Sequence, residues 1–421
     1  MLKSGGATAV SAGHESAPVN AVSATNDRSR GLPSLGLRVE TPDCRRKTPL
    51  QKTRSAGDAD ERREWDACEM TALQDDDTAP CEGGGDSRRN GSTTASKSIL
   101  FESLDKALVV IDIPRTLEES QVVPSQVPRR RIVSAEPPAT PYSTPEPRHG
   151  VAYSSQASPS PAAQLAELMT TAAVQGALQD LASSYRGPFH FARFLEPQPP
   201  SIPGLPPHLP PTAEPLLGSI QELRGPFDAS APSFDLVVLD PPWPNRSARR
   251  RTDKYATVQN LHEMRRLLLH IPVATHLKPD GLVAIWITNK PSIHDFLVSP
   301  TGLFAAWGLE VVTEWTWLKI TTSGEPLYDV ESTWRKPWEK LVIAKRIGSK
   351  RPDSLKPKVV FAVPDVHSRK PNLRGLFQDI LGQDFTGLEI FARNLTAGWW
   401  SWGDQVLHFQ QAEHWSSIDD E

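Results

Sequence analysis

LVVLDPPWPNRSARRR, residues 236–251, decides how the rest of the chain is read. Its apolar residues follow one another without alternation, which describes a strand covered on both faces, as at the centre of a parallel sheet. An acid, Asp240, ends the run. Pro241 and Pro242 have no N–H to donate and hold their φ near −65°, so the turn after the strand is stiff and its carbonyls are free to accept. Trp243 adds a flat aromatic face, and a burst of arginines follows.

Working outward, strands alternate with helices from residue 216 onward. Strands are expected at 233–240, 282–289, 309–320, 339–346, 358–363 and 387–393, and helices near 258–270, 292–307 and 372–382. This alternation predicts a mostly parallel sheet flanked by helices over 216–411, an α/β domain of three layers, with 412–421 as a tail. Before it, residues 99–215 read as partly ordered: KALVVIDIP (106–114) is a strand ended by a proline, and 161–184 is a helix. That helix presents Leu165, Leu168, Met169, Ala172 and Gly176 on one face. A proline-dense linker at 197–215 favours an extended path. Residues 1–98 lack apolar periodicity of either type and are expected to be disordered.

Cys44, Cys68 and Cys81 all lie in that N-terminal region, with no paired spacing of the kind zinc or disulfides need, so no metal is expected. No run of 18 apolar residues predicts a membrane span, and the start has no apolar signal-peptide core. The net charge of −4 gives no sign of a strongly basic nucleic-acid binder, so polyanion affinity has to come from local clusters. One cluster is Arg246, Arg249, Arg250, Arg251 and Lys254; the other is Lys345, Arg346, Lys350, Arg351, Lys356 and Lys358. PRRR at 128–131 is a short basic run of the nuclear-import type.

In sheets of this kind ligands bind at the carboxyl ends of the strands, where Asp240 stands. A carboxylate, fixed carbonyls and an aromatic plane suit a planar ligand that bears an amino group. Asp240 and the Pro241 carbonyl can accept both hydrogens of the amine while Trp243 stacks beneath the ring, which stabilises the charge that develops as the nitrogen attacks. Taken singly, each residue also fits a capped turn, a strand end or a core ring.

Beyond these four residues the chain resembles a known family. FDLVVLDPPWPN, WITNKP (286–291), EWTWLKITTSGE (314–325), RKPWE (335–339), HSRKPNL (367–373) and EIFARNLTAGWWSWGDQVLHFQ (389–410) stand in the order seen in adenine-N6 methyltransferases related to the catalytic subunit of the messenger-RNA adenosine methyltransferase. They are most similar to the branch called methyltransferase-like protein 4. The resemblance implies a Rossmann-like fold and S-adenosylmethionine-dependent methylation of the exocyclic amine of adenine. It also implies that Asp240, Pro241, Pro242 and Trp243 form the catalytic clamp, and that Arg393, Asn394, Asp404, Gln405 and Lys336 contact the cofactor. Structured RNA, such as a small nuclear RNA, is then the first substrate and DNA the second. The arginines of 246–251 and Lys254 would grip phosphates, and Trp338, beside Lys336, is a candidate to stack on a base.

Three departures from the branch stand out: Ser219 replaces a common acid, Asp404 and Gln405 replace Asn and Glu, and Arg369 replaces His. A catalytically silent nucleic-acid-binding homologue and a small-molecule amine methyltransferase are the rival readings. The intact DPPW turn argues against the first and the basic clusters against the second. The chain is read as a monomer of the nucleus, with the cytoplasm as a second compartment and a partner subunit left open.

Overall fold

A computed structural model describes residues 98–124, 126–143, 161–195, 205–244, 258–332 and 335–417. The expected disorder of 1–97, the three cysteines and the arginine cluster of 246–254 lie outside the described residues. In chain order the strands are β1 (Ile99–Glu102), β2 (Leu108–Ile111), β3 (Arg130–Ile132), β4 (Glu214–Leu217), β5 (Phe234–Leu239), β6 (Leu277–Ile287), β7 (Leu309–Lys319), β8 (Trp338–Arg346), β9 (Lys358–Ala362), β10 (Gly387–Ile390), β11 (Trp400–Gly403) and β12 (Trp415–Ser417). The helices are α1 (Ile113–Ser120), α2 (Pro161–Ser184), α3 (Ile220–Ser230), α4 (Leu261–Leu269), α5 (Val273–His276), α6 (Pro291–Val298), α7 (Leu303–Ala306) and α8 (Arg374–Leu381).

Ten strands form one sheet in the order β1-β2-β9-β7-β8-β6-β5-β10-β11-β4. From β4 through β11, β10 and β5 to β6 every pairing is parallel. β8 runs against both β6 and β7, and β9 and β2 continue parallel to β7. β5 lies at the centre for the reason its sequence suggests. Val237 and Leu239 pack into the core on one face of the sheet, Leu236 and Val238 into the core on the other, and all four are buried. Apolar residues of α3 to α7 close the first face, while α1 and α8 close the second. From β5 the chain runs on to β6 on one side, and from β10 it runs on to β11 on the other. Where adjacent crossovers part in this way a crevice opens at the carboxyl ends of the strands.

Several elements differ from the expectation. The strand at 106–114 stops at Ile111, because Asp112 caps α1 by accepting from the Arg115 backbone N–H and Pro114 fits the first helical turn. The helix expected over 292–307 is two pieces, α6 and α7. The chain between them passes so close that a Cβ on Gly302 would stand 2.5 Å from the Leu297 carbonyl oxygen. α2 buries Thr171, Val174, Ala177 and Leu181, whereas Leu165, Leu168 and Met169 are exposed. Its apolar residues lie on all sides, so periodicity did not single out the packed face. Trp400–Gly403, outside the strands expected from the sequence, is strand β11 between β10 and β4. Residues 412–417 are not a free tail: β12 pairs with β3, and the Trp415 indole N–H donates to the Phe409 carbonyl over 2.7 Å.

Candidate active site

β5 delivers Asp240 to the crevice as the first residue beyond its end, with the Asp240 backbone N–H donating to the Ile390 carbonyl of β10 over 3.3 Å. The two prolines that follow cannot extend the ladder. The turn closes when the Trp243 backbone N–H donates to the Pro241 carbonyl over 2.8 Å, which leaves that oxygen one lone pair for a ligand. The Trp243 indole is anchored: its N–H donates to the Trp286 carbonyl over 2.8 Å, its ring meets Phe296 edge-on, and it is 9% exposed. Trp243 therefore packs in the core and is not among the walls of the cavity described below, and its rigidity fixes the path of the Asp240–Pro242 backbone.

The Asp240 carboxylate does not stand alone. Lys370 reaches it over 3.2 Å and reaches Glu339, at the start of β8, over 3.1 Å. Lys319 closes the chain of charges 2.6 Å from Glu339. Burial alone would raise the Glu339 carboxyl, but the two ammonium groups outweigh it and hold it at about 2. For Lys370, burial would lower the ammonium; Asp240 and Glu339 together raise it instead. Glu389, from β10, is pushed up to about 8 by burial and by the Asp240 charge. It pairs in register with Val238, so it projects from the same sheet face as Val238 and Asp240. Sequence reasoning named none of Lys370, Glu339 and Glu389 as site residues. All three sit inside segments that carry the family resemblance, which was the signal available.

Beside this clamp lies a cavity of about 400 Å³ whose walls include Ser219, Gln221, Pro242, Phe391, Asp404 and Gln405. Two of the expected cofactor residues thus share one space with the DPPW turn. Phe391 takes a left-handed backbone, φ 61, as the chain leaves β10, a strained choice of the kind that gathers at ligand sites. A Cβ on Gly403 would stand 3.1 Å from the Ala392 carbonyl oxygen, tighter than an ordinary contact, so a side chain there would require the Ala392 backbone to give by a few tenths of an ångström. Ser219 caps α3: its hydroxyl accepts from the Glu222 N–H over 3.2 Å and donates to the Glu222 carboxylate over 2.7 Å. Glu222 serves this cap and is not among the cavity walls. Asp404 is raised, first by burial and then by Glu222.

The remaining candidates fall elsewhere. Arg393 donates to the Ser368 hydroxyl, and it and the half-buried Asn394 follow the cavity wall in sequence rather than line it. Lys336 lines a second cavity against α2, where it pairs with Glu167 over 3.1 Å, so it is not brought to Asp404 and Gln405. Trp338 is 3% exposed, with Lys336 above its ring; a base cannot stack on a face already packed. In the second basic cluster, Lys345 pairs with Glu310, Arg346 donates to the carbonyls of Ala274 and Leu277, and Lys358 is buried, so these residues serve the fold. Among the described residues no group of three or more His, Cys, Asp or Glu is placed to hold a metal, and no helix is long and apolar enough to cross a membrane.

The same region is where the chain resembles known proteins. Residues 234–405, from the start of β5 to Gln405, match the MT-A70 family. The chain is 50% identical over 342 residues to the N6-methyladenosine RNA methyltransferase MTA1 of Cryphonectria parasitica, which spans 79% of this chain and 98% of that protein. It is 44% identical over 367 residues to the protein of the same name from Pyricularia oryzae, spanning 75% and 96%. With the N(6)-adenine-specific methyltransferase METTL4 of Homo sapiens it shares 34% identity over 223 residues, 50% of this chain and 45% of that protein. With an intact DPPW turn and likeness along nearly the whole of such relatives, the chain belongs to the MT-A70 family of adenine-N6 methyltransferases.

Proposed function

We propose that the chain transfers the methyl group of S-adenosylmethionine to the exocyclic N6 of adenine in RNA, with DNA as the second substrate. The carrying observation is that Asp240 stands at the carboxyl end of β5, pinned by Lys370, while Pro242 lines the same cavity as Asp404 and Gln405. The residues present fit the cofactor. The cavity falls within the roughly 300–1,000 Å³ typical of small-ligand sites, and Asp404 and Gln405 bring acceptors suited to ribose hydroxyls. When bound, S-adenosylmethionine supplies an electrophilic methyl on sulfur. Asp240 and the Pro241 carbonyl would accept the two amine hydrogens and leave the nitrogen lone pair free to take the methyl, the C–S electron pair staying with sulfur as S-adenosylhomocysteine; their negative potential would stabilise the charge on nitrogen until its surplus proton passes to water. Adenine has to be unpaired or extruded to enter.

RNA is placed first because the relatives that this chain covers almost end to end are named as RNA methyltransferases. Arg246, Arg249, Arg250, Arg251 and Lys254, directly after the clamp in sequence, are assigned to the phosphates flanking the target. The nucleus is the proposed compartment. It rests on PRRR alone, of which Arg131 is already held by Glu118 over 3.1 Å. The test is incubation of the purified full chain with methyl-labelled cofactor against total RNA and genomic DNA in parallel, with the labelled nucleoside identified. N6-methyladenosine in RNA is the expected product; label absent from adenine in both pools would overturn the proposal.

A further inference from the structure

The loop between β9 and α8 sends three consecutive side chains to three destinations. The Ser368 hydroxyl accepts from Arg393. Arg369 turns inward and donates to Asp365 over 2.6 Å and to the Val133 carbonyl over 2.9 Å. Lys370 turns to the clamp, 3.2 Å from Asp240. The reversal depends on Ser368, whose φ of 64 is the left-handed region, costly for a residue with a Cβ. Such a conformation persists only where its surroundings over-determine it.

Those surroundings come from far upstream. Asp365 accepts from the Ala135 N–H over 2.9 Å and faces Arg193 at 3.8 Å. Arg193 in turn donates to the carbonyls of Ala135, Val363 and Pro364 over 2.8, 3.1 and 2.8 Å. The side chains of Arg193 and Arg369 are 1% exposed and that of Asp365 is 0% exposed, so two guanidinium groups share one carboxylate out of water. The Nε atoms of Arg193 and Arg369 and one further Arg369 nitrogen have no hydrogen-bond acceptor among the described residues, and the Arg369 guanidinium lies over the Phe409 ring, 4.6 Å from its centroid. What the node does achieve is geometric, because both ends of the 363–369 turn are tied down and the next residue is the lysine of the clamp.

We infer that Arg193, Asp365 and Arg369 form a positioning node that holds Lys370 on Asp240, so that residues 133–135 and 193, upstream of the family-matched region 234–405, set the geometry of the clamp. The inference rests on the proposed methyl transfer for its activity readout alone. It is tested in the full chain with Asp365→Asn, which keeps the shape and removes the charge, and with Arg193→Lys, which keeps the charge and removes the fork.

The first readout is limited acetylation of lysines at pH 8, read residue by residue by mass spectrometry. A lysine released from its carboxylates loses its raised pKa, so Lys370 should label at least about fivefold faster relative to Lys345, whose partner Glu310 lies outside the node. The second is kinetic: kcat on an adenine-containing oligonucleotide should fall by about tenfold or more while the KM for cofactor moves less than about twofold, since the cofactor cavity does not contain the node. If one variant does not fold, the other carries the test. Native labelling of Lys370 and native kcat in a folded variant would overturn the inference, as would a lowered melting temperature with both readouts unchanged. A native chain that methylates nothing would remove the functional reading, and the labelling ratio would still decide the node.

Discussion

Lys370 places its ammonium 3.2 Å from the Asp240 carboxylate and 3.1 Å from that of Glu339, so the acid of the clamp is held by a cation contributed from 130 residues away in sequence. A carboxylate held in this way keeps its direction. Replacing either partner should therefore cost the reaction more than it costs the fold. Lys370→Met and Asp240→Asn are each expected to lower methyl transfer on the order of 100-fold, the scale of losing one preorganised electrostatic contact. The double variant should be little worse than the poorer single one, because groups that act as a unit are not additive. Initial rates with labelled cofactor measure all three, and additive losses would show that the two residues work separately.

Asp404 and Asp240 serve different ligands in the proposed site, and binding can separate them. Asp404→Ala removes an acceptor from the cavity and should weaken S-adenosylhomocysteine on the order of 10- to 100-fold, the worth of a hydrogen bond to a charged group. Asp240→Asn, outside the cavity walls, should leave that affinity within about threefold. Isothermal titration of both variants gives the comparison. Equal losses would place Asp240 in cofactor binding and undo the division of roles.

The parts of this site that were legible in the sequence are those written locally. A continuous apolar run ending in DPPW specifies a buried strand and what stands at its end, and the structure has Asp240 one residue beyond β5. Cap chemistry was equally local: Asp112 before Pro114 marks the start of α1, and Ser219 before Glu222 that of α3, though neither helix was expected. α3 escaped because Gly225 and Pro226 interrupt it, and β4 because EPLL is short and carries a proline on an edge strand. What no local pattern contains is a tertiary ion pair. Lys370 in HSRKPNL has nothing beside it to show that it meets Asp240 and Glu339, and Trp338 has nothing to show that it is buried. Composition sees a lysine and a tryptophan near other polar residues; only the fold decides which of them face solvent.

Gln410 is a fully buried amide that ties three segments distant in sequence to one another. Its oxygen accepts from the Leu395 N–H over 3.2 Å, and its nitrogen donates to Gln121 over 2.9 Å and to the His208 carbonyl over 2.6 Å. Gln410→Leu keeps the approximate volume and leaves the buried Leu395 N–H and Gln121 amide oxygen, and the half-buried His208 carbonyl, unmatched. Orphaning buried groups typically costs about 1–3 kcal/mol each before relaxation, so a loss of at least about 2 kcal/mol is expected. Urea unfolding followed by tryptophan fluorescence measures it. An unchanged midpoint would mean that water replaces the amide at no cost.

Glu389 gives the site a pH dependence of definite sign. Burial and the neighbouring Asp240 charge raise its carboxyl from the ordinary 4.5 to about 8, so the folded protein keeps a proton at neutral pH that the unfolded chain has released. Between those two values folding takes up a proton, and stability falls as pH rises across that window. The contribution is whole below about 4.5 and gone once pH has passed about 8. Glu389→Gln imitates the protonated form and cannot ionise, so its melting temperature should fall less than that of the native chain between pH 5 and pH 8.5. The same substitution should act on the rate. Above pH 8 native Glu389 sets a second negative charge beside Asp240, which competes for the cations that hold the clamp, and methyl transfer should decline. The Gln variant should hold its rate to higher pH. Parallel profiles for melting and for initial rate would show that Glu389 titrates as an ordinary carboxylate and that its burial beside Asp240 has no consequence for either.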